Sequence, residues 1–263
     1  MKIIVLKFGG TSVGTTDRIS AVANIIKAAS DEATPVVVVS AMSGETNRLI
    51  DLANSFGNEP NKREFDALVS TGERVSASLV AIALNQLDLK AKSLSAEQIG
   101  MKTTSNFSRA KIIDLDKEVI FKTIEDGYIP IITGFQGITS DGDTTTMGRG
   151  GSDTTAVAIA ASIQSKRCDI YTDVDGIYTT DPRIVPNAKK LDSINIEEML
   201  ELSGQGAKVM QIRAVEFANK YKVLVRVLSS FESGSGTLIL QEEDAMEDAV
   251  ITGIASQKDQ TKF

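Results

Sequence analysis

A chain of 263 residues, 42% hydrophobic and 24% charged, is long enough for one large core or two modest domains and has an ordinary globular balance. Its 28 Lys and Arg against 35 Asp and Glu give a net charge of −7 with no block of basic residues. That balance disfavours non-specific adhesion to nucleic acid or an anionic membrane and points to a small ligand. The single cysteine, Cys168, excludes an intrachain disulfide, and no Cys and His spacing reads as a metal cluster, so the expected compartment is cytoplasmic.

The first apolar run ends at Lys7, too soon for a signal peptide, and runs such as 36–39 and 129–132 fall far short of a membrane span. Residues 2–8 and 35–40 are short β-branched runs. The stretch between them, 17–30, is amphipathic, with apolar Ile19, Val22, Ile25 and Ile26, and the three predict a βαβ unit. The alternation continues with a helix near 46–56, a longer one near 64–87, a strand near 89–95, a helix near 115–126 and a buried strand at 129–134. A helix near 153–163, a strand near 168–172, helices near 196–202 and 205–220, and strands near 223–228 and 236–240 complete it. Such a pattern predicts an α/β fold, a three-layer αβα sandwich with a mainly parallel central sheet. Residues 137–155, rich in Gly, Ser and Thr, predict one long functional loop running into a helix. Residues 249–263 start like a strand and stop in charged residues, which predicts a tail paired with the sheet edge or the first residues of a further domain.

Four groups of residues can carry chemistry. Lys7 ends the first strand and is followed by Gly9, Gly10, Thr11, Ser12 and Gly14 before a helix. Glycines let backbone amides approach an anion, and the lysine adds a point charge. KFGG alone fits an anion cradle and an ordinary strand-to-helix turn equally, and it is not a Walker P-loop. In MGRGGSDTTA, 147–156, Ser152 or Asp153 fits an N-cap, but one cap does not require three glycines and an arginine. Arg149 offers a planar fork for a substrate carboxylate, and Asp153 suits orienting Lys7 and a second lysine, or approaching Mg2+ through water.

YTDVDGIYTTDPR, 171–183, reads as a turn-rich hairpin or as a nucleotide cradle with Tyr178 and Arg183 near base and phosphates. Asp173, Asp175 and Gly176 lack the spacing of a calcium loop, so no metal site is expected there. Ser40 and Thr46 in SAMSGETN, and Glu73 in STGERVSA, can hydrogen-bond an amino acid, with Glu73 on its ammonium group; capping and a surface glutamate are the plainer alternative. The chain has no histidine, the usual general base at neutral pH. A carboxylate acceptor fits that absence, since it is already ionised and needs no proton removed.

KFGGTSVG, SAMSGETN, STGERVSA, GFQG, MGRGGSDTTA, YTDVDGIYTTDPR and GAKVMQIRAVEFA, taken in order, resemble the aspartate kinases of the amino acid kinase superfamily over nearly the whole chain. The resemblance implies ATP and L-aspartate as substrates, ADP and 4-phospho-L-aspartate as products, Mg2+ with the ATP, and a homodimer. It implies that Lys7 stabilises the transferring phosphoryl group, that Asp153 organises the catalytic lysines, and that Phe8, Gly9 and Gly10 line the phosphates. Ser40, Thr46, Glu73, Arg149 and Ser152 would hold aspartate; Thr172, Asp173, Tyr178, Arg183 and Lys208 would line the nucleotide site. The implied layout is a catalytic domain over 1–245, with an N-terminal aspartate lobe and a C-terminal nucleotide lobe, and 246–263 as a tail or the start of an ACT regulatory module. The family's common type continues into a pair of such modules, so the expectation is a catalytic domain without its own amino acid sensor.

Overall fold

The computed structural model describes residues 2–57, 59–205 and 209–241. The strand start expected at 249–263, and with it the ACT assignment, lies outside the described residues. In chain order the elements are β1 (Ile3–Phe8), α1 (Thr16–Ser30), β2 (Thr34–Val39), α2 (Glu45–Asn54), α3 (Lys62–Val69), α4 (Thr71–Asn85), β3 (Ala91–Leu94), β4 (Lys102–Thr103), β5 (Ile112–Asp114), α5 (Lys117–Glu125) and β6 (Ile129–Thr133). They continue with β7 (Gln136–Ile138), β8 (Thr144–Thr146), α6 (Gly151–Ser162), β9 (Cys168–Thr172), β10 (Ser193–Asn195), α7 (Ile196–Gly204), α8 (Ile212–Tyr221), β11 (Val225–Ser229) and β12 (Thr237–Leu240).

Eight strands form one sheet in the order β10-β12-β11-β9-β1-β2-β6-β3, parallel from β11 through to β3. β12 runs antiparallel to β11, and β10 follows β12. Alternate residues of β1 and β2 face opposite sides, as the period of a strand requires. Ile4, Leu6, Val37 and Val39 pack with Ile19, Val22 and Ile26 of α1 and Val80 and Leu84 of α4. Ile3, Val5, Val36 and Val38 pack with Val157 and Ile159 of α6 and with Met199 of α7 and Val215 of α8. The sandwich therefore has the three layers expected, and its central strands are apolar on both faces because helices cover both.

Three expectations change. The helix over 64–87 is two helices meeting at Ser70, whose carbonyl accepts from Gln136 Nε2 at 2.8 Å. At the joint Gly72 comes so close to Ala41 that a Cβ on it would sit 2.9 Å from the alanine methyl, which brings the first turn of α4 onto the loop after β2. The expected loop at 137–155 contains most of the β7–β8 hairpin, which joins β4 and β5 in a second sheet of order β5-β4-β7-β8. The helix expected at 205–220 begins at Ile212. By length and composition Lys62–Asn85 could cross a membrane, but its inner side packs in the core as Ala77, Val80, Ala81 and Leu84.

Candidate active site

The parallel strands β1, β2, β6, β9 and β11 all end at one edge, where β1 stands between β2 and β9, the strand-order reversal at which open α/β sheets form crevices. Lys7 sits at that edge, 8% exposed, with Nζ 2.6 Å from Oδ1 of Asp153, itself 8% exposed. Asp153 comes from the first turn of α6, which packs under β1. A buried ammonium and a buried carboxylate each lose hydration that, among the described residues, the other offsets, so the pair fixes the cation beside the glycine loop.

That loop turns tightly. Gly9 donates its N–H to the Tyr171 carbonyl at 3.1 Å, and its own carbonyl accepts from Ser12 and Val13. The Gly9 amide is therefore engaged with β9, a correction to the expectation that it faces a phosphate. Gly10 remains suited to that role, because a Cβ on it would lie 2.9 Å from the Ala41 carbonyl and only glycine lets the loop close on the β2 side. The Phe8 ring is fully buried, stacked on Tyr171 at 4.8 Å, so its contribution is to set the backbone that carries Lys7 and Gly9.

On the β2 side, Glu73 of α4 is 3% exposed. Its Oε1 accepts the Ala41 N–H at 3.1 Å, while Oε2 is buried with no hydrogen-bond partner among the described residues. Burial pushes its pKa up to about 8, against the smaller lowering effect of the Ala41 amide. Ser40, half-buried, passes its N–H to the Phe8 carbonyl and accepts from Ser76 Oγ at 2.7 Å. Thr46 lies half-buried in the first turn of α2. Ser152 is buried against the turn after β6, where a Cβ on Gly134 would be 2.7 Å from its Oγ.

Neither Ser152 nor Asp153 is an N-cap. The cap of α6 is Gly150, at φ +71°, with no side-chain hydrogen bond, which leaves the helix start open to an anion. A Cβ on Gly150 would also lie 1.8 Å from Gln211 Cγ. Gly150→Ala is therefore expected to cost about 1–2 kcal/mol from the left-handed backbone alone, a Tm lower by roughly 2–8 °C. Thermal melts of the two chains check it.

Arg149 is exposed and lines a cavity of about 460 Å3 with Ser108, Arg109, Lys111, Met147, Gly148 and Arg213. Among the described residues no Asp or Glu lines it, and Arg109 and Lys111 add positive charge beside Arg149, an arrangement suited to an anion. Glu73, Ser40 and Thr46 do not line this cavity.

On the β9 side, Thr172 closes its strand with Oγ1 donating to Asp173 Oδ1 at 3.1 Å, and Asp173 is exposed. Tyr178 donates its hydroxyl to Asp175 at 3.0 Å, and Arg183, exposed, pairs with Asp181 at 2.8 Å. Lys208 lies outside the described residues. Sequence reasoning missed a tie across this edge: Ser230, after β11, donates to Ser12 Oγ at 2.8 Å and accepts from Arg18, joining the glycine loop to the β9 side. It also missed Asp66, an acid on the apolar side of α3 in REFDALV; charge on an otherwise apolar stripe is the signal that could have found it.

Fold and edge together define a three-layer α/β protein with a buried lysine–aspartate pair at the carboxyl edge of its sheet. The chain belongs to the amino acid kinase family, whose model matches residues 2–229. It is 53% identical over its whole length to aspartate kinase Ask_LysC of Stutzerimonas stutzeri, spanning 64% of that protein. It is 52% identical to an aspartokinase of Pseudomonas aeruginosa, spanning 65% of it. Escherichia coli aspartokinase III, solved in complex with aspartate and ADP, superposes with a TM-score of 0.85 at 31% identity, covering 92% of this chain and 66% of that one.

Proposed function

We propose that this chain transfers the γ-phosphoryl group of MgATP to the side-chain carboxylate of L-aspartate, giving ADP and 4-phospho-L-aspartate, the first step toward lysine, threonine and methionine. The observation that carries the reading is the buried Lys7–Asp153 pair at the sheet edge. A carboxylate oxygen attacks the γ-phosphorus, and the bond to the β–γ bridging oxygen breaks as ADP leaves. The acceptor is already ionised, so no base is needed, in keeping with a chain that has no histidine. The work left to the protein is positioning and positive charge. Lys7 supplies charge at the transferring group, held by Asp153, with Gly10 letting the loop approach the phosphates.

Strand order divides the labour. L-Aspartate sits on the β2 and β6 side, its ammonium on Glu73 and a carboxylate on Arg149, with Ser40, Thr46 and Ser152 beside it. The nucleotide sits on the β9 and β11 side near Thr172, Asp173, Tyr178, Arg183 and Lys208. Mg2+ enters as part of the nucleotide substrate; among the described residues no three acidic or cysteine side chains converge to hold a further ion. A homodimer working in the cytosol belongs to the same proposal. Its support is the resemblance to relatives named as aspartate kinases and to a structure holding aspartate and ADP.

An ADP-release assay with L-aspartate, L-glutamate, N-acetylglutamate and UMP tests the reading. Turnover is expected with L-aspartate alone. Absence of aspartate-dependent ADP release overturns it.

A further inference from the structure

Asp66 of α3 is fully buried and meets no cation among the described residues. Its carboxylate is instead satisfied by four donors from two distant segments. Oδ2 accepts the backbone N–H groups of Ser108 and Thr146, each at 2.7 Å, and Oδ1 accepts their hydroxyls at 3.0 and 2.9 Å. Four such bonds replace the hydration that burial removes. The same junction is held from α8 by Arg213, whose Nη1 donates to the Met147 carbonyl at 2.8 Å and Nη2 to the Ala110 carbonyl at 3.2 Å. Between the two grips, the Ala110 N–H donates to the Thr146 carbonyl at 2.9 Å.

An acid thus gathers donors and a base gathers carbonyls at the point where β8 turns toward α6. The next residues are Gly148, at φ +73°, where a Cβ would lie 3.0 Å from the Ser108 carbonyl, and then Arg149. One residue separates the gripped Met147 from Arg149, so the grip sets where the guanidinium starts from. We propose that Asp66 and Arg213 are positioning residues that hold Arg149 in the orientation that receives the acceptor's carboxylate. The proposal rests on the reading that Arg149 binds that carboxylate. Neither residue touches the reacting atoms; both act through the 146–149 turn.

The division of labour between the two carboxylate oxygens makes the proposal testable. Asp66→Asn can place its amide oxygen on the two N–H groups and its NH2 on the two hydroxyl oxygens, which rotate to accept. It removes the charge and keeps the geometry, whereas Asp66→Ala loses both. Asp66→Ala is expected to raise KM for L-aspartate about 10–100-fold, the worth of a misplaced charged hydrogen bond, with KM for MgATP and kcat little changed. Asp66→Asn returns most of that loss, and Arg213→Ala reproduces the Asp66→Ala defect.

Amide hydrogen exchange supplies a reading that needs no substrate. Ser108, Ala110 and Thr146 amides, each hydrogen-bonded within the grip, are expected to exchange faster in Asp66→Ala and Arg213→Ala than in the unaltered chain, and to stay protected in Asp66→Asn. Unchanged exchange counts against the grip alone; absence of aspartate turnover in the unaltered chain counts against the proposed function alone. Equal rises in KM for both substrates, an unchanged KM for aspartate, or an asparagine variant as impaired as alanine would overturn the proposal. Should Asp66→Ala fail to fold, Asp66→Asn and Arg213→Ala carry the comparison.

Discussion

Lys7→Met is expected to lower turnover about 10²–10³-fold, the cost of removing one fixed charge from a developing transition state, while KM for the acceptor changes little. The asymmetry follows from where the lysine points. Its ammonium is held by Asp153 at the end of β1, next to the glycine loop, whereas the groups suited to an amino acid lie on other elements, Glu73 on α4 and Arg149 before α6. A charge that matters only as the phosphoryl group moves affects kcat and kcat/KM together and leaves ground-state binding alone. The variant also strands a buried carboxylate, which costs about 3–5 kcal/mol and lowers Tm by roughly 10 °C. Combining Lys7→Met with Asp153→Asn separates the two effects. The double variant should regain much of the lost Tm and none of the lost turnover. Equal losses in turnover and in aspartate affinity would show that the lysine serves binding instead.

How much of this could be read from sequence depended on element length and on what a residue's partners were. Runs such as 35–40 and 129–134 are apolar on both faces, so the central strands and the helices between them were legible. The strands β4, β5, β7 and β8 are two or three residues long, too short for alternation to register, and a Thr-rich hairpin read as loop. Lys7 and Asp153 were legible as charges next to glycines, and the structure brings them to 2.6 Å. Gly9 was misjudged because its amide goes to Tyr171, 162 positions later, and no local pattern reports a partner that distant. Asp66 escaped for the same reason: its four donors come from residues 42 and 80 positions away. Glu73 could be placed on a helix, but its burial came from the bend at Ser70 and the close approach of Gly72 to Ala41.

Binding of L-aspartate is expected to strengthen as pH rises toward 8 and to release close to one proton per site at neutral pH. In the free protein Glu73, raised to about 8 by burial, is mostly protonated at pH 7. An ammonium group arriving at Oε2, which has no partner among the described residues, favours the carboxylate, lowers its pKa and expels the proton. The apparent affinity should therefore improve up to about tenfold per pH unit below 8 and level off above it. Calorimetry in two buffers of different ionisation enthalpy measures the proton, and a pH-independent affinity with no release would rule the role out.

Stability moves the opposite way. The folded pKa of about 8 lies above the ordinary 4.5, so between those values the native state holds a proton that the unfolded chain has lost. Stability from this group is fully present below 4.5 and declines as pH rises toward 8, by at most about 1.4 kcal/mol per pH unit. Glu73→Gln removes the titration: its Tm should exceed that of the unaltered chain most at pH 8–9 and least near pH 5. Its affinity for L-aspartate should fall about 10–100-fold and lose its pH dependence. A glutamine that gained stability at high pH yet still bound aspartate as tightly would mean that the buried carboxyl is a packing cost with no ligand, and would move the ammonium site elsewhere on the edge.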